Sequence, residues 1–150
     1  MQEKQQPDHP GGLSADQIVD LTHRAAKVAQ HAYAPYSSFR VGAALLLTTG
    51  EIVTGCNVEN ASYRLTTCAE QSAIAAAVAQ FGPAIKLRAI AVANLNATAS
   101  QPCGACRQNL LEFSTPDTWI FYPAAEGAIA AASISHLLPA AFLLHHKDPS

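Results

Sequence analysis

The chain is poor in charged side chains and in long apolar runs. Asp, Glu, Lys and Arg make up 13% of its 150 residues, and the net charge is -2. No basic block marks a nucleic-acid-binding surface. No stretch approaches the run of about 18 apolar residues that a membrane-spanning helix needs, and the N-terminal residues lack the apolar core of a signal peptide. We therefore expect a cytoplasmic protein that binds neither nucleic acid nor membrane.

The apolar content is high enough for one domain with its own core. Hydrophobic residues make up 49% of the chain, a composition typical of globular proteins. Residues 1–12 are polar and contain two Pro and a Gly-Gly pair, so they are predicted to be a disordered leader. We expect a single domain over residues 13–144 and a flexible tail over residues 145–150.

Helical and strand patterns alternate along that domain. Ser14 and Gln17 have the spacing of a capping box, which predicts that the first helix begins there. The patterns then predict, in chain order, the end of that helix before Pro35, strands at about 41–47 and 51–58, a helix from Cys68 to Gln80, a strand at 87–94, a helix from Cys103 to about Phe113, a strand at 118–122, a short strand after 126 and a short helix from Ser133 to Leu138. Such alternation predicts an α/β protein with a mixed sheet between helical layers.

Four cysteines allow three interpretations. A disulfide framework is not expected in a reducing compartment with a full-sized core. A redox pair would need only Cys103 and Cys106, but a lone C-x-x-C is a weak signal. A metal site is favoured because Cys68, Cys103 and Cys106 all fall at predicted helix starts, where the helix dipole favours thiolates. The fourth cysteine, Cys56, is expected to be a buried free thiol.

Glu70 lies two residues after Cys68. Taken alone, it is an acid in a first helical turn that complements the helix dipole. Three thiolates leave one zinc position open, as in catalytic sites, and a carboxylate beside bound water can carry its proton. Cys-x-Glu followed by Pro-Cys-x-x-Cys, with 33 positions from Glu70 to Cys103, is the signature of zinc-dependent deaminases in its three-cysteine form.

From these motifs outward the chain resembles the small, homotetrameric type of cytidine deaminase. The resemblance implies a three-layer α-β-α sandwich with a mixed, about five-stranded central sheet. It extends from about residue 13 to residue 142. The matching stretches are YAPYSSFRVGAALL (33–46), GCNVENASY (55–63), TCAE (67–70), PCGACRQ (102–108) and LLPAAF (137–142).

The resemblance also implies roles for individual residues. Three cysteines would hold one Zn²⁺ per chain, and Glu70 would be the proton shuttle. Asn57 and Glu59 would bind the ribose 3'-hydroxyl, and alternate strand positions do share one face. The three zinc ligands would be Cys68, Cys103 and Cys106. Phe39 would line the nucleoside pocket, and the backbone at Ala69 would read the pyrimidine edge. Phe142 would reach a neighbouring subunit's site.

The implied reaction is hydrolytic deamination of free cytidine and deoxycytidine, in pyrimidine salvage. Zinc-activated water would attack C4 of the cytosine ring, Glu70 would move the protons, and ammonia would leave. The products would be uridine and deoxyuridine. The implied assembly is a homotetramer with sites at the subunit interfaces.

Gln71 departs from the family pattern, in which Arg usually follows the catalytic Glu. Zinc with three thiolates carries a net charge of about -1, which makes bound water a poorer acid. Without the offsetting Arg, the water is expected to be less acidic here. We predict that Gln71→Arg lowers the pKa of the acidic limb of the pH–rate profile.

Three alternatives remain open. A deaminase for a cytosine-bearing antibiotic such as blasticidin S keeps the zinc motifs but is not expected to show NVEN followed by ASY. A zinc-stabilised binding module needs a fourth ligand and no carboxylate beside the metal. A polynucleotide deaminase needs exposed aromatic and basic residues along a groove, and the low charge disfavours it.

Overall fold

The computed structural model describes residues 10–145. Its first helix begins with the predicted capping box, in which Ser14 and Gln17 exchange hydrogen bonds of 2.9 and 3.2 Å. The helices are α1 (Ala15–Ala29), α2 (Ala69–Phe81), α3 (Gly104–Glu112) and α4 (Ile134–Leu137), and the strands are β1 (Val41–Leu47), β2 (Ile52–Cys56), β3 (Leu87–Asn94), β4 (Ser114–Pro123) and β5 (Ile129–Ser133).

The five strands form one sheet in the order β2-β1-β3-β4-β5. β3 and β4 are parallel, and the other three pairs are antiparallel. The predicted mixed, five-stranded sheet is therefore confirmed. The parallel pair requires a crossover connection, and α3 supplies it.

The helices cover both faces of the sheet. Along β1, Ala43 and Leu45 face the α2 side, whereas Ala44 and Leu46 face α1. This alternation follows from the two-residue period of a strand, and burial on both faces explains why β1 is apolar throughout. The three-layer α-β-α architecture is confirmed.

Two glycines let the helices lie directly on the strands. A Cβ atom at Gly42 would be 2.0 Å from the carbonyl oxygen of Ala25, and one at Gly55 would be 2.3 Å from the amide nitrogen of Ala73. Neither distance is compatible with a side chain. Gly55 thus fixes how closely α2, which begins directly after Cys68, packs on β2.

The second strand is shorter than predicted. It ends at Cys56, not near residue 58. Beyond that point Val58 pairs with Thr67 instead, through two backbone hydrogen bonds of 2.9 Å. The chain leaves the sheet here because its polar groups find partners in the segment that precedes α2.

The predicted leader and tail lie mostly outside the residues that the structure describes. Residues 1–9 of the predicted leader and residues 146–150 of the predicted tail lie outside the described residues. Pro10–Gly12 form a 3-10 turn, and Arg88 donates a 3.1 Å hydrogen bond to the Gly12 carbonyl. These three residues, which belong to the predicted leader, contact strand β4. Within residues 10–145, no helix is long and apolar enough to cross a membrane.

Candidate active site

Two helix starts bring the three cysteines together. Cys68 is the N-cap of α2 and Cys103 the N-cap of α3, while Cys106 follows in the first turn of α3. Their sulfur atoms all lie within 4.8 Å of one another. Zinc–sulfur bonds of about 2.3 Å in a tetrahedral site place sulfurs about 3.8 Å apart, so small shifts would seat the ion. Among residues 10–145, no fourth ligand joins this cluster.

The chemistry of the donor set also fits zinc. Hydrogen bonding to the Cys106 thiol lowers the pKa of Cys68 to about 7. The same contact, together with burial, raises the pKa of Cys106. The Cys106 amide also donates to the Cys103 sulfur at 3.4 Å. Three thiolates at this separation would repel one another unless a cation lay between them, and zinc is a cation that thiolate ligands bind well.

Glu70 is buried beside the cluster. Its side chain is 4% exposed, and its Oε2 atom lies 3.5 Å from the sulfur of Cys106. Burial raises the pKa of this carboxyl group, because the charged form loses its solvation. A carboxyl group with a raised pKa holds a proton more readily and can return it during a reaction.

The Val58–Thr67 pairing joins this cluster to a second polar group. It places the segment of Asn57 and Glu59 beside the residues that lead into Cys68. Asn57 uses its side chain to hold the start of β1. Its Oδ1 accepts from the Val41 amide at 2.8 Å, and its Nδ2 donates to the Phe39 carbonyl at 2.8 Å.

Glu59 is buried and accepts three hydrogen bonds from one turn. Its Oε2 accepts from the amides of Tyr36 (2.9 Å) and Ser37 (3.3 Å), and its Oε1 accepts a close hydrogen bond from the Ser37 hydroxyl. The Ser37 hydroxyl is the main cause that lowers the pKa of Glu59. The carboxylate lines a pocket of about 320 Å³, a size within the range of small-molecule sites, together with Tyr36, Ser37, Tyr63 and Thr66.

The other predicted site residues lie in different surroundings. Ala69 is buried at the first position of α2, between Cys68 and Glu70. Phe39 is half-buried, and its backbone carbonyl accepts the Asn57 hydrogen bond. Gln71 is half-buried, and no hydrogen bond of its side chain is found within residues 10–145.

Phe142 does not meet the Glu59 pocket within one chain. It is 69% exposed. It borders a separate cavity of about 310 Å³ that is also lined by Gln108, Glu112, Leu144 and His145.

Sequence reasoning missed two features of this region. Ser37 precedes Phe39 in the quoted YSSF stretch, but no periodicity indicates that its hydroxyl meets Glu59, 22 positions away. The second feature is Arg107. Its guanidinium ties the loop before Cys103 to α4, by hydrogen bonds of 2.7–2.8 Å to the Pro102 carbonyl, the Gln101 side chain and the Leu137 carbonyl.

A mixed sheet that carries three clustered thiols beside a buried carboxyl group defines a zinc-dependent α/β enzyme. Residues 15–122 match the family model described as "Cytidine and deoxycytidylate deaminase zinc-binding region". The chain belongs to this family.

Individual relatives agree over nearly their whole length. The chain is 42% identical to a cytidine deaminase of Halalkalibacterium halodurans over 81% of this chain and 91% of that one. It resembles the crystal structure of cytidine deaminase from Mycobacterium tuberculosis with a TM-score of 0.75 at 40% identity, over 87% of this chain and 100% of that chain. The corresponding structure from Burkholderia pseudomallei gives a TM-score of 0.73 at 38% identity, over 87% and 100%.

Proposed function

We propose that the protein deaminates free cytidine and deoxycytidine by hydrolysis, releasing uridine or deoxyuridine and ammonia, as a step of pyrimidine salvage in the cytoplasm. The observation that carries this proposal is the buried Glu70 carboxyl group at 3.5 Å from the thiol cluster. The names of the relatives supply the substrate class.

Cys68, Cys103 and Cys106 would hold one zinc ion, and Glu70 would handle the protons. Zinc, when bound, supplies the Lewis acid that activates the water consumed in the reaction. Glu70 would take one proton from that water and pass it to N3 of the ring as the water oxygen bonds to C4. It would then take the remaining proton of the added hydroxyl group and pass it to the amino group, which leaves as ammonia when the C4–N bond breaks. Its burial supports this role because it raises the pKa of the carboxyl group, which favours the protonated form that donates to the ring and to the leaving group.

Asn57 and Glu59 would bind the ribose 3'-hydroxyl. The Asn57 Nδ2 atom donates one hydrogen to the Phe39 carbonyl, which leaves its second hydrogen for a ligand. The Glu59 carboxylate accepts only. Together they suit a hydroxyl that both donates and accepts, and they disfavour a 3'-phosphate, which would bring negative charge against Glu59. This preference supports a free nucleoside and not a polynucleotide as substrate.

Three further residues complete the proposed substrate site. The backbone at Ala69 would read the pyrimidine edge, since it lies between a zinc ligand and Glu70. Phe39 would line the nucleoside pocket, with its backbone held by Asn57. Phe142, exposed in one chain, would reach the site of a neighbouring subunit.

We propose a homotetramer with its sites at the subunit interfaces, built from one deaminase domain over residues 13–144 with a leader and a tail. Exposed apolar side chains support the assembly, since such patches mark protein interfaces. They are Tyr33, Tyr36, Val58, Tyr63 and Leu65 near the Glu59 pocket, and Phe142, Leu143 and Leu144 in the C-terminal segment.

A substrate panel tests this function. Purified protein with measured zinc content is mixed with cytidine, deoxycytidine, cytidine 3'-monophosphate or blasticidin S. Deamination is followed by the loss of ultraviolet absorbance of the cytosine ring and by the release of ammonia. We expect turnover of the two nucleosides and little of the 3'-phosphate. Turnover of blasticidin S alone would show that the substrate is the antibiotic and not a free nucleoside. No turnover of any compound at one zinc per chain would favour a zinc-stabilised binding module.

A further inference from the structure

Ser37 joins the two residues that we propose to bind the sugar. Its hydroxyl donates to Oε1 of Glu59 and accepts from the Phe39 amide at 3.0 Å. The Phe39 carbonyl in turn accepts from Asn57 at 2.8 Å. Asn57 and Glu59 are two residues apart in the chain. The hydrogen bonds therefore close a ring that runs from Glu59 through Ser37 and Phe39 to Asn57.

This ring fixes the direction of the Glu59 carboxylate. Its Oε2 atom is held by two backbone amides, which remain whatever the side chain of residue 37. Its Oε1 atom has one protein donor in the described residues, the Ser37 hydroxyl. Without that hydroxyl the carboxylate would keep one fixed oxygen and could turn about it, so the second oxygen would lose its aim into the pocket.

The local backbone supports a dedicated role for Ser37. The next residue, Ser38, has a φ of 57°, in the left-handed region that a residue other than Gly adopts at a cost. This turn lets the hydroxyl of Ser37 reach back to Glu59 and the amide of Phe39 in the same conformation. Ser37 also lines the 320 Å³ pocket itself.

We propose that Ser37 is a positioning residue that aims the Glu59 carboxylate at the sugar hydroxyl and so sets the affinity for nucleosides that carry a 3'-hydroxyl. This inference rests on the proposed function of Glu59. Ser37 touches no reacting atom, so its effect falls on substrate binding and not on the chemical step.

The test compares deoxycytidine with 2',3'-dideoxycytidine, which lacks only the 3'-hydroxyl. In Ser37→Ala we expect kcat/KM for deoxycytidine to fall about tenfold, mainly through KM, as for loss of one hydrogen bond to a charged group. For dideoxycytidine we expect a change within about twofold, because the group that Glu59 would bind is absent. Ser37→Thr keeps the hydroxyl and should restore the deoxycytidine value. Ser135→Ala, at an exposed position of α4, is the matched control and should leave the ratio of the two substrates unchanged.

The outcomes distinguish the Ser37 role from the Glu59 assignment and from the proposed function. Equal losses on both substrates in Ser37→Ala, or no loss on deoxycytidine, would overturn the positioning role. So would a failure of Ser37→Thr to restore the ratio. Glu59→Gln tests the assignment of Glu59 to the 3'-hydroxyl, since its loss of kcat/KM should also be confined to deoxycytidine. If Glu59→Gln discriminates between the substrates and Ser37→Ala does not, the sugar assignment stands and the Ser37 proposal fails. If neither substrate is turned over by the wild type, the proposed function itself fails.

Discussion

The sulfur of Cys106 lies 3.5 Å from Oε2 of Glu70. The two residues come from different helices, each near its N-terminus. Their contact therefore depends on how α2 and α3 pack on the same face of the sheet. The thiol cluster and the carboxyl group that we propose as the proton carrier are thus brought together by the core and not by a local loop.

Removing one thiol should empty the metal site. We expect Cys103→Ser to bind well under one zinc per chain after dialysis and to lose activity, because a hydroxyl is a far weaker zinc ligand than a thiolate. Zinc is measured by atomic absorption. Cys56→Ser, which lies outside the cluster, should keep its zinc. Full zinc content in Cys103→Ser would contradict the assignment of the cluster.

A methyl group at Gly55 should force α2 away from the sheet. The added Cβ would lie 2.3 Å from the Ala73 amide nitrogen and 2.9 Å from the Ala69 carbonyl. We expect Gly55→Ala to reduce the free energy of unfolding by about 1–3 kcal/mol, as for other overpacked sites. Urea unfolding measures this change. Gly104→Ala has open space around its Cβ and should not be destabilised, so equal stability of the two variants would argue against close packing at Gly55.

Glu59 should make folding stability depend on pH. Its pKa in the folded protein is lowered from the ordinary value of 4.5. The unfolded chain therefore takes up a proton first as the pH falls. The stability that Glu59 contributes is fully present above its unfolded pKa and is lost as the pH falls through the folded pKa.

Urea unfolding between about pH 3 and pH 7 checks this expectation. The stability difference between wild type and Glu59→Gln should be constant near neutral pH and shrink in acid. A difference that grows as the pH falls would have the opposite sign and contradict the account.

Gln71→Arg should move the acidic limb of the pH–rate profile to lower pH. Gln71 directly follows Glu70 in the first turn of α2. A positive charge added there would offset the negative charge of the thiolates. The readout is kcat/KM as a function of pH. Gln80→Arg, at an exposed position near the other end of the helix, is the control. Identical profiles for Gln71→Arg and wild type would end this proposal.

The fold was largely predictable because its signals are local. Leu87–Asn94 is apolar except for Arg88 and the terminal Asn94, and it forms a strand over the same residues that the sequence predicts. The capping box at Ser14 and the Gly82 end of α2 work in the same way. In each case neighbouring residues carry the signal, so one chain suffices to read it.

The region that we propose to bind the sugar was predictable only in part because its contacts are irregular and long-range. Glu59 is an obvious candidate from its motif, but its partners Tyr36 and Ser37 come from a turn 22 and 23 positions away. No period of hydrophobicity encodes such a contact. Phe142 shows a different limit, since the contact that we propose for it lies in a neighbouring subunit's site and a single chain does not contain that contact.

The most direct measurement is ammonia release from cytidine by wild type and Glu70→Gln, both with zinc quantified. Gln preserves the shape of the side chain but cannot carry the proton. We predict one zinc per chain in both proteins, steady turnover by the wild type, and a fall in kcat of at least about 100-fold in the variant. Equal turnover by the two zinc-loaded proteins would show that Glu70 is not the proton carrier.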